Sequence, residues 1–334
     1  MIKTKIYQFL RNWSLPIAMV SGVVAYLLYV NIPLFDSTHD FVATAVSITQ
    51  PWLIFAMLFM TFCKVRISDL KPSEWHPWLL VIQIVAFLIL SLLIALFPGM
   101  SVPLKVMIES VMLCLMCPTA TAAAVITARL GGNYASLISY TIQINIAVAV
   151  AAPLFLSISH PVEGLSLLES FLLIMAKVFP LLLCPMICAE LTRHFFPAVH
   201  RFFVTTGRNW SFYHWLLALS LAIAMTTRAI VHSGLSFWVM ASIAFVSLAC
   251  CLVQFVIGRK VGERYGDTIA GGQALGQKNT VFAIWFACTF LTPVTAIAGG
   301  FYAIWHNLFN TWQMYIHDHA VAIRKRRARK GVTL

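Results

Sequence analysis

The chain has 334 residues, 60% of them hydrophobic and only 10% charged, with a mean hydropathy of +0.87 and a formal net charge of +12. A soluble domain carries about 25% charged residues, so a soluble fold is excluded and the chain belongs in a membrane. The positive excess needs no nucleic acid, because lysine and arginine accumulate on the cytoplasmic side of membrane proteins.

A spanning helix needs roughly 20 mostly apolar residues. Ten such stretches follow one another, centred near residues 23, 52, 88, 112, 146, 178, 220, 246, 280 and 303. The first follows Lys3, Lys5 and Arg11 and lacks a small-residue cleavage pattern before Asn31, which predicts a retained helix rather than a signal peptide. Pro16 and Pro51, then Pro180 and Pro185, predict kinks, since proline removes a backbone donor. The fourth stretch (103–129) is interrupted by Cys117-Pro118-Thr119-Ala120-Thr121. The ninth (271–288) is interrupted by Gly276-Gln277-Lys278-Asn279-Thr280. Between the sixth and seventh, the polar loop 189–209 with Arg193, Pro197 and Arg201 predicts a short surface helix. Seven of the eight cysteines fall within or at the ends of stretches and Cys63 at a helix end, so no disulfide framework is expected.

With the N-terminus inside, 19 lysines and arginines fall on cytoplasmic segments. Two, Lys105 and Arg228, fall outside, and two, Lys177 and Lys278, within spans. That asymmetry predicts a multi-pass protein of the cell (inner) membrane with both termini cytoplasmic. Ten spans divide as five plus five, and an odd half re-enters the membrane inverted. The expected fold is an all-α polytopic membrane protein. It has ten transmembrane helices in two inverted five-helix repeats, 1–157 and 165–318, forming one transmembrane transporter domain over 1–334 with broken, crossing helices 4 and 9. A basic cytoplasmic tail, 319–334, carries Arg324-Lys325-Arg326-Arg327-Ala328-Arg329-Lys330. It anchors the topology, and anionic lipid headgroups are a fitting partner for it.

Lipid cannot satisfy loose backbone groups, so unwound helix persists at membrane depth only where protein or a wet cavity covers it. Two broken spans in matching halves therefore mark a transporter's binding site. An intramembrane lysine there, Lys278, must be paired, neutralised or used. Half-helix N-termini add positive dipole ends, which favours an anion, with Thr119, Thr121, Asn279, Thr280, His306 and Asn307 as candidate hydrogen-bonding groups. His306 and Asn307 also fit helix packing. Glu109 precedes Pro118 by nine residues, ~13 Å along a helix, too far to pair directly with Lys278. It is either a structural carboxylate or a gate or proton relay near the outer mouth. Lys177 either reaches a wet cavity or snorkels to an interface. His317-Asp318-His319 falls short of the four ligands of a structural metal site, and no metal or cofactor is expected. The glycosylation patterns at Asn12 and Asn209 fall on the cytoplasmic side and are discarded. No nucleophile with a partner base and no phosphate-cradling loop is present, which argues against an enzyme.

At the two breaks the chain resembles the bile acid:sodium symporter family. The first match is Cys117-Pro118-Thr119-Ala120-Thr121-Ala122-Ala123-Ala124-Val125 with Gly132-Asn133 after it. The second is Gly276-Gln277-Lys278-Asn279-Thr280 followed by Thr292-Pro293 and Trp305-His306-Asn307. The resemblance implies a panel of spans 1, 2, 6 and 7 rocking against a core of spans 3–5 and 8–10, with substrate between them. It also implies two sodium sites at the crossing, and here the chain departs from the family. The family's Ser-Asn pair falls on Ala123 and Ala124, its glutamate on Ala274, its glutamine on Lys278 and a further serine on Leu137. Thr141 matches a family threonine and Gln83 a third-span glutamine. A hard cation wants several oxygens, so neither sodium site is expected to survive.

Lys278 then stands as a tethered cation with three donors for carbonyls freed by the breaks. Three roles stay open: a fixed charge in a sodium-independent facilitator or exchanger, a group that sheds its proton in proton-coupled transport, or a lock on the crossing. Proton or no coupling ion is favoured over sodium. The substrate implied is an organic anion, a bile-acid-like molecule, a sulfated steroid or a small carboxylate. The alternative is a transport-inactive receptor or sensor binding an anion in the same pocket.

Overall fold

The structure, a computed structural model, describes residues 14–65, 71–208 and 210–329. Lys3, Lys5, Arg11 and Arg66, counted above for orientation, lie outside the described residues, as do Asn12, Asn209 and 330–334. Fourteen α-helices make up the described chain, with no strand among them. They are α1 (Ser14–Asn31), α2 (His39–Phe62), α3 (His76–Leu96), α4 (Val102–Met116), α5 (Ala123–Arg129), α6 (Tyr134–Ser159) and α7 (Leu167–Leu182). There follow α8 (Cys184–Phe195), α9 (Pro197–Val204), α10 (Trp210–Val231), α11 (Phe237–Glu263), α12 (Thr268–Gly276), α13 (Thr280–Phe290) and α14 (Ala296–Arg329). Helix α9 is the short helix expected within 189–209, although α8 runs further than expected, to Phe195.

Among the described residues, five helical stretches are long and apolar enough to cross a membrane: Pro33–Phe62, α3, α6, Phe212–Val231 and α11. Helices α7 and α8, bent by 40° at their junction, make a sixth when taken together. Pro180 lies inside α7 and Pro185 in the first turn of α8, so two backbone donors are missing around the bend. The protein is thus an all-helical, multi-pass membrane protein.

Its surface is inverted relative to a soluble bundle. On α3, Val81, Val85, Ile89, Leu92 and Leu96 are exposed at spacings of three and four, a continuous apolar stripe. The opposite face buries Gln83 and Ser91 among Leu79, Phe87 and Ile94. Water would reverse that preference; lipid does not, because its chains are as apolar as the stripe.

The helices pack in two groups. Helix α1 lies on α10, and α2 lies on α7, α8 and α10. In the second group α11 packs on α12, α14 and α4, while α3 packs on α4 and α6. The groups meet where α10 touches α13 and α14 and where α6 touches α7.

A tight seam runs between α11 and α12, and glycines make it. A Cβ on Gly258 would sit 2.3 Å from the Gly271 carbonyl oxygen, and one on Gly262 2.5 Å from that of Asp267. Small residues four apart let membrane helices approach backbone to backbone. The turn Gly131-Gly132-Asn133 is shaped similarly: Gly131 has φ +79°, and the Asn133 side chain caps α6 by accepting from the Ser136 N–H. Gly258→Ala should overpack the seam and cost about 1–3 kcal/mol, read as a lower melting temperature in detergent. Gly99→Ala, with nothing within 4 Å of the new Cβ, should melt like the parent. Equal melting of the two variants would show that the seam is not close-packed.

Candidate functional site

Helix α4 stops at Met116 because Pro118 has no N–H and its ring clashes with the preceding turn. Cys117, the residue before it, turns to extended backbone with ψ 139°. Helix α12 stops at Gly276, Gln277 is extended, and Asn279 starts α13 by accepting from the Phe282 N–H with its side chain. The two breaks lie against each other as a single antiparallel bridge between Thr119 and Lys278. The Ala120 N–H donates to the Gln277 carbonyl at 2.8 Å and the Asn279 N–H to the Pro118 carbonyl at 2.8 Å. Backbone freed by one break is thus satisfied by the other.

The remaining carbonyls are taken by side chains. Lys278, 1% exposed, donates from Nζ to Gln83 Oε1 at 2.8 Å and to the Leu115 carbonyl at 3.2 Å. Gln83 Nε2 donates to the Met116 and Cys117 carbonyls, both at 2.9 Å. Gln254 Nε2 donates to the Cys114 carbonyl at 3.2 Å. The C-terminal end of α4, where the helix dipole is negative, is therefore held by an ammonium and two amides. At the end of α12 the donors are neutral: Thr119 Oγ1 to the Ala274 carbonyl at 2.6 Å, and the Tyr302 hydroxyl to the Gly276 carbonyl at 2.9 Å. No carboxylate pairs with Lys278 among the described residues; its titratable neighbours are the thiols of Cys117, Cys114 and Cys250.

A cavity of about 20 Å³ lies beside the crossing, room for about one water. Thr121, Lys278, Asn279, Thr280, His306 and Asn307 line it from one helix group, and Met57, Trp215 and Leu219 from the other. Three buried polar atoms on its wall have no partner: Gln277 Oε1, Asn279 Nδ2 and His306 Nδ1. Gln83, Thr119 and Thr141 do not line it. Thr119 and Gln83 are committed to helix ends, and the Thr141 hydroxyl donates to the Leu137 carbonyl of its own helix. Ala123, Ala124, Leu137 and Ala274 are buried and bring no side-chain oxygen; Ala274 contributes its carbonyl to Thr119.

The model of the Sodium Bile acid symporter family matches residues 51–233, more than half of the chain. The chain belongs to that family. Members of this symporter family are transporters rather than enzymes, and the matched segment runs from α2 to just past α10, including the first break. It ends before the second break and Lys278. No curated protein matches the chain.

Two further expected residues sit away from the crossing of this symporter-family protein. Glu109 is fully buried and accepts from His160 Nε2 at 2.9 Å, Thr295 Oγ1 at 2.8 Å, and the Thr292 N–H at 3.2 Å. It ties α4 to the end of α6 and to the turn between α13 and α14, and Lys105 stands 3.9 Å away. Lys177 is exposed on α7, with Nζ 5.8 Å from the centre of the Phe290 ring. A cavity of about 920 Å³ lies elsewhere, among residues 72–75, 131–133 and 264–269. Sequence reasoning missed Gln254 and Tyr302, whose polar groups lie on otherwise apolar helices and carry no motif.

Gln83→Leu would leave the Met116 and Cys117 carbonyls without a side-chain donor and remove one of the ammonium's two acceptors. It should cost about 2–5 kcal/mol, measured by thermal unfolding. Lys278→Met combined with Gln83→Leu should cost less than the sum of the single changes, because the variants share partners. Strictly additive costs would mean that the two side chains act independently.

Proposed function

We propose that the protein is a secondary transporter of organic anions that works by alternating access without sodium, with the Lys278 ammonium as its built-in cation. The observation that carries this is the ammonium on the Leu115 carbonyl and Gln83, in a crossing where Ala123, Ala124 and Ala274 offer no side-chain oxygen. A sodium ion needs several oxygens, and Lys278 already occupies the carbonyl end of α4. The field of a fixed positive charge, together with the N-terminal dipole ends of α5 and α13, favours an anionic substrate. The family supports bile-acid-like, sulfated-steroid or small carboxylate molecules.

In this reading the fourteen helices compose ten spans in two inverted repeats, 1–157 and 165–318, with α4–α5 and α12–α13 as broken, crossing spans 4 and 9. The charge asymmetry supports an inner-membrane protein with both termini inside and the basic tail 319–334 against anionic lipid. A cavity of about 20 Å³ is far below the 300–1,000 Å³ of ordinary ligand sites. Substrate enters only if the group holding Met57 and Trp215 moves away from the group holding Lys278. Coupling is to protons, if Lys278 releases its own during the cycle, or to no ion.

Uptake of a labelled panel of bile acids, steroid sulfates and short carboxylates into proteoliposomes is the test. Replacing sodium with potassium should change the rate by less than about twofold, while Lys278→Ala should abolish it in a protein that still elutes as a folded monodisperse species. A sodium requirement would sink the tethered-cation reading. Saturable binding without flux would point instead to a receptor.

A further inference from the structure

Between α8 and α10 the chain makes the short helix α9, whose two faces are unlike. Phe196, the residue before Pro197, leaves helical backbone with φ −129° and ψ 61°, so α9 is separate from α8. The inner face is fixed to α2. The Phe203 ring meets the Phe59 ring edge-on, with centres 5.3 Å apart, and His200 Nε2 donates to the Cys63 carbonyl at 2.8 Å. Arg193, two residues before the end of α8, donates to the Val65 carbonyl and, at 3.4 Å, to that of Cys63. A guanidinium and an imidazole thus hold the carbonyls at the C-terminal end of α2, where the helix dipole is negative.

The outer face is apolar. Val199 and Phe202, three apart on α9, are exposed, as is Phe195 just before it. Arg201, about 100° around the helix from Phe202, is exposed at the edge of that face. Two lipid-facing stripes run into it. Ile187, Leu191 and Phe195 are exposed four apart along α8, and Trp210, Tyr213 and Leu217 three and four apart along α10. Phe202 joins the second stripe, its ring centre 6.0 Å from that of Trp210. Tryptophan and tyrosine concentrate where a bilayer meets water. A helix of eight residues is about 12 Å long, too short for a hydrocarbon core of about 30 Å. Helix α9 therefore runs along the boundary that Trp210 and Tyr213 mark.

We propose that α9 and the end of α8 form an in-plane membrane anchor. Phe195, Val199 and Phe202 sit between acyl chains and headgroups, and Arg201 meets the phosphate of an anionic lipid. A surface helix binds there through its buried apolar face together with attraction to anionic lipid, and a guanidinium matches a phosphate with two parallel hydrogen bonds. The charge asymmetry of the chain favours the cytoplasmic leaflet, whose surface is negative. Through Phe203, His200 and Arg193 the anchor holds the end of α2 and so ties the first helix group to the bilayer surface. None of this depends on what the protein transports.

The full-length wild type, in nanodiscs of phosphatidylcholine and phosphatidylglycerol, tests this without any substitution. Hydroxyl radicals generated in the water oxidise accessible aromatic rings. A lipid-dissolved aryl diazirine loses dinitrogen on irradiation, and its carbene inserts into neighbouring C–H bonds. Both are read residue by residue with mass spectrometry. Phe195 and Phe202 should be oxidised about tenfold more slowly than Tyr265, exposed in the turn between α11 and α12, after correction for ring reactivity, as expected of side chains removed from water. The carbene should label 195–202. Fast oxidation of Phe195 and Phe202 would put the face in water and overturn the anchor. Protection from both reagents would put a second copy or another protein on it and overturn the anchor equally. Omitting phosphatidylglycerol should raise Phe202 oxidation about fivefold in the wild type, in line with the attraction of one basic residue to an anionic surface, and much less in Arg201→Gln. An equal response of the two proteins would overturn the headgroup contact.

Discussion

Two helix ends meet in the middle of the bundle, and the need to satisfy their carbonyls governs the parts around them. A helix end leaves up to four carbonyls without a partner, and lipid offers none. The breaks at Pro118 and at Gly276–Lys278 solve part of this by pairing with each other through Thr119 and Lys278. What pairing leaves over is met by side chains reaching in from α3, α11 and α14. Gln83, Gln254 and Tyr302 each donate to a carbonyl that a continuous helix would have kept. The two ends are treated differently. That of α4 receives an ammonium and that of α12 receives hydroxyls, so the positive charge is directed at one half-helix rather than shared between them.

Placing those donors depends on features far from the crossing. The Gly258–Gly271 seam draws α12 onto α11, and Gln254 sits one turn before Gly258 on the same helix. Gly276 in turn rests on the Phe255 ring, where a Cβ would come within 2.4 Å. A side chain at either glycine would push the end of α12 away from Tyr302. Hydrogen bonds to charged groups are worth about 1.5–3 kcal/mol, and that return exists only if the backbones are within reach. Close packing at the seam and polar satisfaction at the crossing are therefore one constraint.

Much of this was legible in the sequence. Low charge and repeated apolar stretches required a membrane protein, and Pro118 and the Gly276–Lys278 segment marked both interruptions because proline and glycine act locally. The motif Gly132-Asn133 acquired a plain physical meaning as a turn and a helix cap. Partners distant in sequence were harder to see. Thr119 was expected as a hydrogen-bonding group for substrate, yet its hydroxyl is spent on the Ala274 carbonyl, 155 positions away. Glu109 finds its partners away from Lys278, and nothing near it in sequence pointed to His160 or Thr295. Gln254 and Tyr302 escaped notice for the same reason: an amide or phenol on an apolar helix has no spacing rule that announces its partner. Gln50 carried no signal in the sequence, and only the fold shows its Nε2 buried without a partner.

The two cations on the seam differ in what they are free to do. Lys278 spends its donors on Gln83 and the Leu115 carbonyl, so it contributes mainly a field, and a substrate acid would have to displace one of those partners to touch it. Arg228 has no such commitment and stands in a cavity large enough for a ligand. A fixed charge sets the sign of what the crossing tolerates; a free one can bind, orient and release. An anion held too tightly at a single strong site would not leave, and conduction through a protein favours several weaker stations over one deep well. Lys278, locked into the scaffold, and Arg228, exposed on the wall of its cavity, therefore differ in the freedom that such a station would need.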